Sequence, residues 1–424
     1  MASALKILFA ALTVPFPPTN GHRIRNSTLL RALAEEGHAV SLVAFAEPPE
    51  LRDPQAAHGG TCRTVDLVPA PDTGGRSGMR PLARLAALPR LLPYGALRYR
   101  SEAMTGVIAL HLARTAFDAL IVDDIYLSSN VPDSAQVVTL LNKHDLTEVI
   151  LKRYLAHEPN PAKRAYAWLE CQKIRRLSDR VMRNSTGILA CSEVDRKEIL
   201  ARLPAARVAI VPNVVPTDLP AGECVDDGRT VLFSGSMDFQ PNIDGVQFFV
   251  AEVLPALRSR VPNVRFVVAG RNPSQSLCRW LARVPGVEVT GTVPDMRVEV
   301  AKATVCVVPL RIGSGTRLKI LEAGAMSKAV VSTRLGAEGL EFTDGQEIVL
   351  ADEPQDLANA VAELLTDARR RAQLGDAARR RVESEYSVSA LRRAVHAALR
   401  QFCDPVASGS DSHATEPRSL DLLS

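Results

Sequence analysis

The residues best suited to chemistry lie between positions 309 and 333, in PLRIGSGTRLKILEAGAMSKAVVST. An apolar run ends at Leu310, a loop crosses 311–315, and helical spacing follows over about 316–326. Gly313 and Gly315 let backbone approach a ligand closely. The helix start after them offers free N–H groups at the positive end of a dipole. Ser314 and Thr316 add hydroxyls, and Arg311, Arg317 and Lys319 add cations. Together they describe a diphosphate cradle that requires no metal. Glu322 follows further along the same helix, where a carboxylate suits the vicinal diol of a ribose. An ordinary glycine turn with surface charges has the same letters, so this segment alone leaves both readings open. It matches neither the dinucleotide fingerprint nor the Gly-Lys-Ser/Thr phosphate loop, which argues against NAD or ATP chemistry here.

Other candidates sit at the ends of apolar runs. PPTNGHR (17–23) puts Gly21 in a strand-to-helix loop, with His22 and Arg23 in reach of an acceptor or a phosphate. LLNKHDLTE (140–148) puts His144 and Asp145 just past a strand, although Asp145 also suits a helix N-cap. Asp123 and Asp124 invite a metal reading, but an isolated Asp pair more often caps a strand end, and no metal is expected.

These residues need rigid elements to hold them, and the chain reads as two successive β/α runs. The first has strands at about 5–13, 39–45, 116–124, 137–145 and 186–192, with a helix over about 24–36. The Pro-, Gly- and Asp-rich stretch 211–228 reads as a linker. The second run has strands at about 230–236, 264–270, 287–291, 304–310, 329–333 and 347–352. Alternating strands and crossover helices predict parallel, doubly wound sheets, which bind ligands beyond the carboxyl ends of their strands. Residues 1–215 form the expected N-terminal domain and 229–387 the C-terminal one. A terminal helix at 388–403 is a candidate to return to the first domain, and 404–424 is expected to be a disordered tail. The Arg-rich stretch 368–385 is expected to face solvent.

Composition fits this division. A chain of 424 residues with 46% hydrophobic content can bury two cores. A net charge of +4 argues against a dedicated nucleic-acid partner. The seven cysteines are dispersed without metal-ligand spacing, as in a reduced, cytoplasmic protein. The apolar N-terminus is broken by Pro15, Pro17 and Pro18 and reads as a buried strand rather than a targeting peptide. No run of 18 apolar residues occurs to span a membrane. Residues 73–101 carry Arg76, Arg80, Arg84, Arg90, Arg98 and Arg100 and no acid, which suits either a solvated loop or contact with anionic lipid at the inner membrane face.

The 309–333 segment resembles the nucleotide-sugar motif of glycosyltransferase family 4, in which two glutamates stand eight positions apart around a Gly-rich turn. Residues 6–43, 210–215 and 232–257 resemble other parts of that family in the same order, so the likeness covers roughly residues 5–400. The resemblance implies the GT-B architecture: two Rossmann-like domains facing across a cleft. It also implies a retaining, metal-independent transfer, with a nucleotide-sugar donor and a glycan or lipid-linked acceptor. Glu322 matches the ribose-binding glutamate, whereas Ser314 stands where the first glutamate, which contacts the donor sugar, would be. Gly21 and His144 match N-domain groups near that sugar. The loop 235–245 begins with Gly235 but lacks the family's Arg and Lys, so Arg271, Arg317 and Lys319, with help from Arg311, are the expected diphosphate contacts. A non-catalytic nucleotide-sugar binder and a nucleotide-sugar epimerase are the competing readings. No cofactor is expected, because the nucleotide sugar is a substrate.

Overall fold

The computed structural model describes residues 4–54, 58–71, 84, 86–133, 135–217 and 227–404. The expected tail therefore lies outside the described residues, apart from Asp404, as do all of residues 73–83 with Arg76 and Arg80.

The N-terminal sheet has seven strands: β1 (Lys6–Ala11), β2 (Ala39–Ala46), β3 (Thr64–Pro69), β4 (Ala119–Asp123), β5 (Val138–Asn142), β6 (Gly187–Ala190) and β7 (Val208–Ile210). Their spatial order is β3-β2-β1-β4-β5-β6-β7, and every pair is parallel. In β1 the residues Ile7–Ala11 are all buried, as a central strand covered on both faces requires. The apolar N-terminal run thus forms the middle of a sheet. The order reverses between β1 and β4, where successive crossovers leave in opposite directions. The loops there diverge and open a crevice at the strands' carboxyl ends.

The C-terminal sheet repeats this scheme with β8 (Thr230–Ser234), β9 (Arg265–Ala269), β10 (Val287–Gly291), β11 (Val305–Val308), β12 (Ala329–Ser332) and β13 (Val349–Leu350), in the order β10-β9-β8-β11-β12-β13. Its reversal falls between β8 and β11, so the crevice opens beside Gly235 and the loop 309–317. Two doubly wound α/β sheets in series are thus the architecture of the described chain.

The last helix, Val388–Cys403, crosses back to the N-terminal sheet. Leu391, Val395, Ala398, Leu399 and Phe402 join the core beneath the first helix, Gly21–Glu35. Full burial of such side chains contributes roughly 1.5–3 kcal/mol each before entropy is counted. Gly187 makes room for this helix, since a Cβ there would stand 2.6 Å from the Phe402 ring.

The helix Ala368–Glu385 corrects the expectation of a merely solvent-facing element. It buries Leu374, Gly375, Ala378 and Val382. Val382 and Ala378 pack on Gly324 of the helix Leu318–Ala325, bracing the element that carries Lys319 and Glu322.

Candidate functional site

Two helix N-termini meet at the seam between the sheets. The first helix begins at Gly21, with Asn20 capping it by accepting from the Arg23 N–H at 3.0 Å. A Cβ on Gly21 would lie 3.4 Å from Cδ1 of Leu318, the first residue of the helix Leu318–Ala325. Both positive helix ends therefore border one space, a natural place for an anion.

Lys319 adds a cation there. Its Nζ donates to Asn242 Oδ1 at 3.0 Å and sits 4.0 Å above the Phe233 ring centroid. Burial, joined by the Arg317 charge and opposed by Glu322, pushes its ammonium down to about 7. Gly235 leaves space for this contact, since a Cβ would come within 2.9 Å of Nζ. The loop 235–245 has no cation of its own, and Lys319 reaches it from the helix after β11, the strand that lies beside β8 in the sheet. Asn242 gave no signal in sequence. Arg271, at the end of β9, donates from Nε to Ser236 Oγ at 2.9 Å beside Gly235. Glu322 is half-buried one turn beyond Lys319, and burial raises its carboxyl above the ordinary range against the pull of Lys319.

The glycine loop is folded onto the N-terminal domain. Gly315 has φ +72°, and a Cβ there would meet the His144 carbonyl oxygen at 2.8 Å. Ser314 Oγ accepts from the Leu146 N–H at 3.3 Å, and Thr316 Oγ1 accepts from Asn213 Nδ2 at 2.6 Å. Arg153 donates to the Gly313 carbonyl and pairs with Glu338 at 2.6 Å. Ser314 thus joins the two domains from the position where a donor-sugar contact was expected.

Two expected phosphate contacts are engaged elsewhere. Arg311 forms two hydrogen bonds to Asp244, at 2.8 and 3.1 Å, and lies over the Phe248 ring at 4.5 Å. Its carboxylate partner draws it away from the loop. Arg317 is buried and donates to the Ser314 and Gly315 carbonyls, holding the loop from within. Burial pushes its guanidinium down to about 10. Arg23 likewise pairs with Glu50 at 2.6 Å, so it does not reach toward a phosphate.

Across the seam, Asp123 is the hub that sequence reasoning treated as a strand-end cap. It ends β4 with no exposure. Its carboxylate accepts from the Leu12 N–H at 3.2 Å, Asn26 Nδ2 at 2.7 Å, Asn142 Nδ2 at 3.3 Å and His144 Nε2. His22 Nε2 lies 3.2 Å from its other oxygen. Burial raises the Asp123 carboxyl, but the two histidines and the Asn26 bond outweigh it and leave the group well below the usual range. His144 is pushed down to about 4, first by burial and then by His22, with Asp123 pulling back. It is therefore a neutral imidazole near pH 7. His22, Asp123 and His144 have a composition that also suits a metal, their ligand atoms lying within 4.8 Å of one another. Asp123 already accepts hydrogen bonds on both oxygens, which fits an orienting anion better than a metal ligand.

Asp145 does not cap the next helix. The N-cap of Thr147–His157 is Leu146, and Asp145 accepts instead from the Thr147 hydroxyl at 3.0 Å. Burial raises Asp145 to about 6. The site therefore gathers Gly21, His144, Gly235, Arg271, Gly313, Ser314, Gly315, Thr316, Lys319 and Glu322 along one seam, with Arg317 beneath it and Arg311 outside it.

Two doubly wound α/β domains that meet along a seam at their strands' carboxyl ends define the GT-B class. A 4-like glycosyltransferase domain model matches residues 20–214, and a group 1 glycosyltransferase model matches residues 228–367. The chain belongs to this glycosyltransferase family. An uncharacterised 44.6 kDa protein of the cps region in Klebsiella pneumoniae is 22% identical over 82% of this chain and 88% of its own length. In fold, the chain is similar to sucrose-phosphate synthase from Thermosynechococcus elongatus, with TM-score 0.66, 19% identity and coverage of 94% and 98%. It is also similar to HepE from Anabaena in complex with UDP and glucose, with TM-score 0.65, 13% identity and coverage of 93% and 99%.

Proposed function

We propose that this glycosyltransferase transfers a hexosyl group from a nucleoside-diphosphate sugar to a hydroxyl of a glycan or lipid-linked acceptor, with retention and without a metal. The observation that carries this reading is the seam where two helix N-termini, Lys319 and the loops at Gly235 and Gly313–Gly315 converge. Such a site stabilises a leaving diphosphate as its charge develops, through N–H groups and a fixed cation. Glu322 would hold the ribose. The neutral imidazole of His144 would hydrogen-bond the sugar. The hydrogen-bonded state of Asp123 supports metal independence, and activity undiminished by EDTA would agree with it.

The HepE structure with UDP and glucose supports a UDP-sugar as the first donor to test. The cps-region relative supports a role in surface polysaccharide assembly. Dispersed, free cysteines among the described residues support a cytoplasmic setting. Contact with a membrane face would use Arg90 and Leu91, which is 88% exposed, beside the helix Pro161–Asn184 with its exposed Trp168. Lys173 ties these elements by donating to the Ala87 and Leu88 carbonyls at 2.8 and 3.0 Å. None of the described helices is long and apolar enough to cross a membrane.

A thermal-shift screen against UDP, GDP, ADP and their sugar conjugates tests the donor site. A ligand at about 100 times its dissociation constant stabilises by about 2.7 kcal/mol. Stabilisation by one nucleotide family that disappears in Glu322→Ala supports the assignment. No stabilisation of a folded protein by any of them sinks it. A protein that binds donor but transfers to no acceptor would fit a non-catalytic role, which the diversion of Ser314 into the domain seam favours.

A further inference from the structure

The cleft holds two histidines, and the more accessible one, His22, is the one whose sequence position put it in reach of an acceptor or a phosphate. His22 follows the first residue of the first helix. Its ring stacks on His144 with centroids 4.1 Å apart and planes 16° from parallel. Its side chain is 28% exposed, against 11% for His144. Asp123 faces both Nε2 atoms and is held in place by Leu12, Asn26 and Asn142. His22 Nε2 stands 3.2 Å from the Asp123 carboxylate but off a hydrogen-bonding line, and the negative charge beside it still favours the tautomer that carries its proton on Nε2. The lone pair of a neutral His22 is then on Nδ1. In the free protein Nδ1 lies 3.4 Å from the Thr13 hydroxyl, longer than a well-formed O–H···N bond. Thr13 follows β1 and Asp123 ends β4, so this lone pair lies at the reversal point of the N-terminal sheet, across the seam from the diphosphate cradle.

We propose that His22 Nδ1 accepts a hydrogen bond from a hydroxyl of the acceptor, replacing Thr13, and so selects a carbohydrate acceptor, with Asp123 as the positioning residue behind it. This rests on the glycosyltransfer reading above. The weak Thr13 contact is readily exchanged, whereas the Asp123 contacts are buried and fixed. Stacking on His144 fixes the ring plane, so the direction of the lone pair is set before the acceptor arrives.

The test uses the full-length protein, the nucleotide sugar that stabilises it most, and a panel of octyl glycosides as acceptors. His22→Ala removes the lone pair. His22→Asn keeps an acceptor atom near the Nδ1 position, and His22→Gln places one nearer Nε2. The acceptor KM, or its dissociation constant from saturation-transfer NMR, should rise at least about tenfold in His22→Ala and His22→Gln and return most of the way in His22→Asn. Donor affinity should stay within about twofold in all three. The proposal is overturned by an unchanged acceptor constant in His22→Ala, by donor affinity falling in step, or by no glycoside binding to donor-loaded protein. Stoichiometric zinc in the wild type that is lost in His22→Ala would also overturn it, making the three residues a metal site. A wild type that binds no nucleotide sugar sinks the glycosyltransfer reading itself, whereas donor binding with an unchanged acceptor constant sinks only the role of His22.

Discussion

Donor binding should draw a proton onto Lys319. Burial together with the Arg317 charge holds this ammonium at about 7. A diphosphate favours the charged form. With that pKa, about half the free molecules carry the charge at pH 7 and about one in ten at pH 8. The apparent dissociation constant is the intrinsic one divided by the competent fraction, so affinity should weaken about fivefold from pH 7 to pH 8 and about tenfold per unit beyond. The sign is fixed: affinity is full below about pH 6 and is lost as pH rises through 7. A nucleotide sugar is a diphosphate diester with no phosphate proton to lose in this window, so the effect belongs to the protein. Calorimetry at pH 8 in two buffers of different ionisation enthalpy should report uptake of nearly one proton, and at pH 7 about half of one. Lys319→Arg remains charged and should flatten the curve. Tight donor binding at pH 8 with no proton uptake would refute the reasoning. For folding the sign reverses. The unfolded lysine holds its proton up to about 10.5 while the native one releases it near 7, so this group adds stability as pH rises between those values.

Three further outcomes follow from the same geometry. Gly315→Ala forces a side chain at φ +72° against the His144 carbonyl and should cost about 1–3 kcal/mol in urea unfolding, with weaker donor binding. Arg311→Gln loses a partly exposed ion pair and should cost only about 0.2–1 kcal/mol. Its donor affinity should stay within about twofold, and a tenfold loss would contradict the placement of Arg311 outside the cleft. His144, pushed down to about 4, stays neutral over a range in which the unfolded residue takes a proton, so its contribution is present above 6.5 and is lost as pH falls toward 4. Asp145, raised to about 6, acts in the opposite sense. The measurement is therefore the difference in urea midpoints between wild type and His144→Asn at pH 7 and 4.5, and an equal pH slope in both would count against the buried neutral imidazole.

The sequence alone was enough to read the architecture and one half of the site. Short apolar runs that end in polar loops predict parallel strands, because a strand buried on both faces leaves no polar alternation. Gly313, Gly315 and the helix behind them are contiguous, so their geometry is local and legible. The contacts that cross between units were not legible. Nothing in the spacing says that Asp244 and Phe248 draw Arg311 outward, or that Arg317 turns back onto its own loop. Spacing is equally silent on Lys319 answering the missing cation at 235–245 by bonding Asn242. Asp123 and His144 were visible at strand ends and His22 in the expected loop before the first helix, but not as a group. They come together only because β1, β4 and β5 lie side by side in the sheet, an order that sequence distance does not encode. Local chemistry follows from the chain's own geometry. The partner each charge chooses depends on competition among all groups within a few ångströms, and only the tertiary structure decides that.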